Sequence, residues 1–353
     1  MLKHLQTYFN NQPGYLIFYV TNRCNFRCKF CYYSEEIQKG RKVNELKIDE
    51  IEKISKNCKN IIQISMAGGE PFLRNDFNEI TKIFVKNSNV KYINIPTNGS
   101  LTSRMVKYLE EILPICSDTS FRLTFSIDGI ENDHDENRSM KGSFQRIINS
   151  YDAIKHLREK YKNLSIDSNT VFTTKTEDNI VKIIKFLNSK FNFDNNTVTY
   201  ARGSFPDKSL KSKSKEKYDD AIKYLNTQNK NKENRFLYPI YRSVRNIAFE
   251  SISKIAFNDE FVVPCVAVKK LLVISEEGNV YPCETLTNTH LLGNLRDYEY
   301  NLNNILEQKY TKDTKTWIKN SKCKCTFECA VSASIAWSPK KIPKVLVGAL
   351  KNI

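Results

Sequence analysis

Two hydrophobic periods alternate along the chain. Short runs rich in β-branched and aromatic residues, Tyr15–Thr21, Ile61–Met66, Tyr92–Pro96, Phe121–Ile127, Leu164–Thr173 and Asn196–Ala201, have the length and composition of strands. Between them apolar residues recur at helical spacing. Phe77, Ile80, Ile83 and Phe84 mark one helical face, and Met105, Tyr108, Leu109 and Ile112 a second. Ile147, Tyr151, Ile154 and Leu157 mark a third, followed by Ile180, Ile183, Ile184 and Leu187. Strands regularly separated by helices predict a parallel sheet with right-handed crossovers. Repeated six times, the unit predicts an α/β fold: an open, partial (β/α)6 barrel over residues 15–205, after a short polar lead-in at residues 1–14.

The pattern breaks after Arg202-Gly203. Residues 206–260 read as a helical connector, with a lysine- and serine-rich start from Pro206 to Lys217 and a helix over Glu216–Gln228. A long aromatic stretch from Phe236 to Phe257 follows. Its Phe236, Tyr238, Tyr241, Phe249 and Phe257 suit either the lining of a substrate cavity or ordinary core packing. Residues 261–353 form the last module. There Lys270–Ser275 and Asn279–Cys283 flank Glu276-Glu277-Gly278, the turn chemistry of a hairpin, and a helical stretch surrounds Trp317.

Composition narrows the setting. No stretch has a signal peptide's order of charge, apolar run and small residues, and no run approaches a membrane span, so the expected location is cytoplasmic. Ten cysteines in clustered spacings point to metal ligation in a reducing compartment rather than disulfides. Cys58 and Cys116 lie outside the clusters and suit buried small apolar positions. The formal net charge of +16 would steer anionic partners. Lysine is spread along the whole chain without an Arg-rich helix or an RNA-binding signature, which argues against nucleic acid.

The chemistry concentrates where strands end. Directly after the first strand, Cys24-Asn25-Phe26-Arg27-Cys28-Lys29-Phe30-Cys31 places three thiols in a C-x3-C-x2-C array, a metal site before anything else. Iron–sulfur cubanes usually take four cysteines, so three leave one iron open. Taken alone, the loop also suits zinc with a fourth ligand elsewhere, or plain buried thiols. Met66-Ala67-Gly68-Gly69-Glu70-Pro71 follows the second strand, Thr97-Asn98-Gly99 the third and Ser126-Ile127-Asp128-Gly129 the fourth. In α/β architectures ligands gather beyond these carboxyl ends.

Together these motifs resemble the radical SAM superfamily over residues 15–203, and Cys265 to Cys329 resembles its SPASM/twitch extensions. The resemblance implies that Cys24, Cys28 and Cys31 hold a [4Fe–4S] cluster whose open iron binds S-adenosylmethionine through its amino and carboxylate groups. One electron, from an external donor such as flavodoxin or ferredoxin, would then yield methionine and a 5′-deoxyadenosyl radical. Phe30 matches the aromatic that packs on adenine. Gly68 and Gly69 would let a backbone edge approach the methionine moiety, and Glu70 would receive its ammonium group. Asn98 and Ser126 stand where relatives hydrogen-bond ribose or carboxylate. Arg138 stands where a related subgroup clamps that carboxylate, or else is a solvated surface arginine. His134 reads as polar loop chemistry, and Asp128 as a ligand contact or a turn-orderer.

In the last module, Gly278-Asn279-Val280-Tyr281-Pro282-Cys283 matches the G-x4-C element of SPASM/twitch domains. The resemblance makes Cys265, Cys283, Cys323, Cys325 and Cys329 the ligand pool of one auxiliary [4Fe–4S] cluster. Cys265, Cys283 and Cys329 take the first three places, and Cys323 and Cys325 compete for the fourth. No cysteine follows Cys329, so a second auxiliary cluster is not expected. A structural zinc is the other reading of a four-cysteine site.

The implied activity is that of a radical SAM oxidoreductase or maturase. It would abstract hydrogen from a peptide or a small anionic metabolite, with the auxiliary cluster assisting oxidation or substrate binding. The lead-in is too short for a leader-binding domain, so peptide modification would call for a separate leader-peptide recognition protein. The competing readings are an RNA-modifying radical SAM enzyme and a non-catalytic iron–sulfur electron-transfer scaffold. The sequence singles out no catalytic acid or base.

Overall fold

The computed structural model describes residues 10, 12–39, 44–88, 90–228 and 238–350. Phe236 and most of the expected lead-in lie outside the described residues. The strands are β1 Tyr15–Thr21, β2 Gln63–Gly68, β3 Tyr92–Thr97, β4 Ser120–Ser126, β5 Leu164–Phe172, β6 Asn196–Tyr200, β7 Leu271–Ile274, β8 Asn279–Tyr281 and β9 Gly293–Asn294. The helices begin with α1 Ser34–Lys39, α2 Ile48–Lys56, α3 Phe77–Ser88, α4 Thr102–Ile115, α5 Asn132–Arg138, α6 Ser143–Ile154 and α7 Leu157–Lys160. They continue with α8 Ile180–Lys190, α9 Lys215–Gln228, α10 Tyr238–Asn258, α11 Leu302–Glu307, α12 Lys309–Asn320, α13 Glu328–Ala336 and α14 Ile342–Leu350.

The six predicted strands form a parallel array in the order β6-β5-β4-β3-β2-β1, as consecutive crossovers require. Their apolar positions alternate with polar ones. Ile64, Met66, Ile93, Ile95, Phe121, Leu123 and Phe125 are buried on one face, against helices. Phe18 meets Phe84 of α3 at a centroid distance of 5.4 Å, which places those helices on the outer side. The opposite face carries Ser65, Asn94, Arg122, Thr124, Asp167 and Asn169, which are hydrogen-bonded or ion-paired to one another or to Thr199. Closed (β/α)8 barrels fill their interior with branched apolar side chains. This partial barrel keeps a polar lumen instead.

The sheet does not end at β1. β7 pairs with β1 in parallel, Tyr15 facing Leu271 and Phe18 facing Ile274, and β8 and β9 follow antiparallel. The expected hairpin is therefore β7–β8, and with β9 it extends the barrel sheet to nine strands. β1 is buried along its whole length because it has neighbours on both edges. Its register shifts between Tyr19 and Thr21, a bulge that bends the strand where it leaves toward the cysteine loop. The aromatic stretch of α10 divides by role. Tyr238, Phe249 and Phe257 pack with the apolar core, whereas Tyr241 is 37% exposed.

Candidate iron–sulfur centres

The first cysteine loop is fixed by two backbone bonds from the Gly-Gly-Glu segment. Gly69 N donates to Thr21 O at 2.8 Å and Glu70 N to Arg23 O at 2.8 Å. A Cβ on Gly68 would lie 2.3 Å from Thr21 O, and one on Gly69 2.1 Å from Arg23 O. Gly68 also has φ +110°, a conformation that favours glycine. The sequence expectation aimed these glycines at a ligand. The structure shows that their close approach is to this chain's own residues 21–23, immediately before Cys24. Only a Cβ-free segment lets β2 run that close to the exit of β1.

Within the loop, Phe26 N donates to Cys24 Sγ at 3.4 Å and Cys31 N to Cys28 O at 3.1 Å. Burial pushes the Cys24 thiol up to about 11 and the Cys31 thiol up to about 12. Cys28 is raised as well, by burial opposed by Arg138. Each of the three carries the charge of another member of the set among the causes of its shift or feels Arg138. Three neighbouring thiols with raised pKa values ionise together only where a cationic centre compensates them, and soft iron suits such donors. The donor set therefore fits an iron–sulfur cluster.

Glu70 is buried at 1% exposure and accepts from Phe72 N at 3.3 Å, Thr97 Oγ1 at 2.9 Å and Asn98 N at 2.7 Å. Burial raises its pKa to about 7 despite these donors. Asn98 Nδ2 donates to Asn25 Oδ1 at 2.8 Å, tying the end of β3 to the cysteine loop. Ser126 closes β4 on the polar face, half-buried. Arg138 is no solvated surface residue: its side chain is 11% exposed and ion-paired to Asp128 at 2.5 Å. Its guanidinium lies over the Phe30 ring at 5.4 Å and 3.9 Å from Cys28 Sγ. Phe30 itself packs with Phe26, Phe205 and Leu210.

Asp128 orders its surroundings as well as pairing with Arg138, since Val171 N donates to its carboxylate at 2.6 Å. His134 departs from the expectation of loop chemistry. It is fully buried on α5 and its Nδ1 accepts from Asp128 N at 3.1 Å, with burial lowering its pKa to about 3. The neutral ring is part of the packing that holds Asp128.

The second cysteine group assembles from three separate segments. Cys265 and Cys323 perturb each other, the neighbouring sulfur pushing the Cys265 thiol up and drawing the Cys323 thiol down. Burial raises Cys283 to about 11 and Cys325 to about 12, and both feel the charge of Cys265. Cys329 stands apart in its bonding: its Sγ donates to Glu284 Oε2 at 2.6 Å. It still neighbours Cys325, whose charge it feels. The structure thus relates Cys265, Cys283, Cys323 and Cys325 most directly and gives Cys329 a carboxylate partner. Among the described residues, no three His, Cys, Asp or Glu side chains are closed around a single metal ion.

Glu284, which the sequence reading passed over, joins the two groups. It follows Cys283 and accepts from Tyr32 OH at 2.7 Å, the residue after Cys31, and from Tyr19 OH at 3.1 Å. Arg202, at the end of β6, stacks beside it with its guanidinium 5.3 Å from the Tyr32 ring centre and 4.5 Å from that of Phe327. Adjacency to Cys283 was the one sequence signal for Glu284. For the lumen it was the polar alternation of β3 and β4, hidden behind their β-branched and aromatic residues.

Two thiol groups suited to iron, set at the strand ends of a partial barrel and joined by one carboxylate, define a two-cluster iron–sulfur protein. The Radical SAM superfamily model matches residues 18–187, and the SPASM iron–sulfur cluster-binding domain matches residues 265–330. The chain belongs to the radical SAM superfamily and carries a SPASM domain. These domains imply a [4Fe–4S] cluster that works with S-adenosylmethionine and an auxiliary cluster.

Among relatives, an uncharacterized protein of Methanocaldococcus jannaschii is 28% identical over 80% of this chain and 89% of that one. The cysteine-type anaerobic sulfatase-maturating enzyme of Clostridium novyi is 29% identical over 47% of this chain and 46% of that one. A GTP 3′,8-cyclase of Clostridium botulinum is 29% identical over 39% of this chain and 42% of that one. The chain thus spans less than half of these two enzymes. The fold is shared with anSMEcpe bound to AdoMet and a peptide, at TM-score 0.61 and 18% identity, covering 96% of this chain and 97% of that one. Streptococcus suis SuiB bound to S-adenosylmethionine superposes at TM-score 0.61 and 17% identity, covering 90% of this chain and 71% of that one. Among the described residues no helix is long and apolar enough to cross a membrane.

Proposed function

We propose that this protein oxidises a peptide or a small anionic metabolite held in the chamber between its two cysteine groups. Residues 15–205 would carry the radical-generating site and residues 261–353 the auxiliary cluster. The observation that carries this reading is the bond from Tyr32 OH to Glu284 Oε1 at 2.7 Å, which brings the residue after Cys31 onto the residue after Cys283. Two clusters whose flanking residues are bonded in this way can serve one substrate.

When bound, the first cluster supplies the electron that cleaves S-adenosylmethionine to a hydrogen-abstracting 5′-deoxyadenosyl radical. The chain's own residues position and exclude. Cys24, Cys28 and Cys31 would hold that cluster, and Glu70 would receive the ammonium group of S-adenosylmethionine. Asn98, Ser126, Arg138 and Phe30 would complete the cofactor pocket. Cys265, Cys283, Cys323 and Cys325, with Cys329 as the neighbouring alternative, would hold the auxiliary cluster. Glu284 is the carboxylate placed to accept a proton lost by an oxidised substrate. Its three donors, Tyr19, Tyr32 and Cys329, orient it as an acceptor. An electron donor such as flavodoxin or ferredoxin, and for a peptide a leader-recognition protein, would be the partners.

Anaerobic reconstitution followed by reduction with dithionite tests the reading. The protein should hold about eight irons and convert S-adenosylmethionine to 5′-deoxyadenosine and methionine. The Cys24→Ala/Cys28→Ala/Cys31→Ala variant should lose about half of the iron and all cleavage. Cleavage persisting in that triple variant would sink the assignment.

A further inference from the structure

Arg202 is half-buried and held between two aromatic rings. Its guanidinium lies between the rings of Phe327, at 4.5 Å, and Tyr32, at 5.3 Å, and it makes no hydrogen bond or ion pair with any described residue. Gly203 explains why the chain can pass so close. A Cβ there would meet Tyr32 Cβ at 3.1 Å and Phe327 Cζ at 3.2 Å, and its φ of +72° favours glycine. Aromatic rings stabilise a guanidinium over their faces and leave its N–H donors, which lie in its own plane, unused. Glu284 acts on Arg202 through its charge but makes no ion pair with it, accepting instead from Tyr19, Tyr32 and Cys329.

The charges around Arg202 come from the segments that carry both cysteine groups. Glu284, Cys329, Tyr32 and Glu328 all act on it. Glu328, the first residue of α13, is in turn acted on by the charges of Arg202, Arg245 and Arg122. Arg245 is 2% exposed, and its Nε and Nη2 have no partner among the described residues, while Nη1 reaches Asn195 Oδ1 at 3.4 Å. Burying an arginine with idle donors is costly unless something satisfies them. Of the two guanidiniums, Arg202 is the half-buried one, and its unused donors are the ones open to an acceptor.

We propose that Arg202 anchors an anionic group of the substrate, a carboxylate or a phosphate, between the two cysteine groups and beside Glu284. The inference rests on reading the chamber as the substrate site and narrows the substrate to one carrying an acidic group. A guanidinium fork matches either oxyanion bidentately. Its position by Tyr32 and Phe327 would fix that group relative to both clusters, so the acidic group acts as the handle while oxidation occurs elsewhere on the molecule.

The test uses reconstituted holoenzyme without reductant or S-adenosylmethionine, titrated anaerobically by calorimetry with inorganic phosphate and, separately, with succinate. The wild-type protein should bind at least one of them saturably at one site. Arg202→Gln should weaken that binding by about tenfold or more, the loss expected for charge-assisted hydrogen bonds. Arg202→Lys keeps the charge and most of the volume, so it guards against misfolding. It should retain part of the phosphate binding as a point charge and lose the carboxylate fork. Tighter phosphate binding points to a phosphorylated substrate, and tighter succinate binding to a carboxylic acid or a peptide carboxylate. The proposal is overturned if the wild type binds neither anion, or if Arg202→Gln, with normal iron content, binds as well as the wild type. Failure here with intact S-adenosylmethionine cleavage removes only the anion site. Failure of cleavage with intact anion binding removes only the proposed reaction.

Discussion

Glu70 gives the sharpest quantitative test of the cofactor pocket. Burial holds its carboxyl at about 7 in the folded protein, against an ordinary value of 4.5. The folded chain therefore carries an extra proton between those values. Its contribution to stability is complete below pH 4.5 and is lost as pH rises through 7. The gap corresponds to about 3 kcal/mol. An ammonium group settling on Glu70 needs the carboxylate, so below pH 7 binding must first expel that proton. The dissociation constant of S-adenosylmethionine should approach a tenfold rise per pH unit well below neutrality, which makes it about sixteenfold from pH 7 to 5.5. Above pH 7 it should level off.

Glu70→Gln removes the titrating group and one acceptor oxygen. Since the carboxylate accepts from Phe72 N, Thr97 Oγ1 and Asn98 N, the amide leaves one buried donor facing another. That mismatch should cost about 1–3 kcal/mol of stability. Anaerobic equilibrium dialysis between pH 5.5 and 8, on reconstituted wild type and variant, reads both effects. The variant should bind weakly at every pH with a flat profile. Superimposable profiles for the two proteins would refute the assignment of Glu70 to the ammonium group.

Two other substitutions separate the parts of the machine. Gly69→Val should displace Arg23, whose carbonyl lies 2.1 Å from the position of the added Cβ, and so disturb the cysteine loop. Iron content and cluster absorption should fall along with S-adenosylmethionine affinity, and an unchanged absorption spectrum would contradict the packing argument. Cys265→Ala with Cys283→Ala should lower the iron content by about half yet leave 5′-deoxyadenosine formation measurable, while oxidised product is lost. If the auxiliary group mainly clips the C-terminal segment together, melting temperature and both activities should fall in step.

The sequence by itself determined what depends on short spacings. Period-2 and helical apolar patterns gave the six parallel units, and the cysteine, Gly-Gly-Glu and Asn98 motifs fell at strand ends because each is a local element of chain. Even the hairpin of the last module was legible from its turn residues. Tertiary structure decided everything that depends on which edges meet. β1 is apolar on both faces, so its composition does not say that β7 will pair with it. That pairing sets Cys283-Glu284 against Tyr32, 252 residues away in the chain. Burial likewise decided that Arg138 is a buried partner of Asp128 and that His134 is packing. Arg202 looked like any lysine or arginine at a strand end, and only the two rings that close on it reveal a cation with its donors unused. Spacing encodes geometry over a few turns of chain, whereas a contact between distant strands is fixed by the packing free energy of the whole sheet.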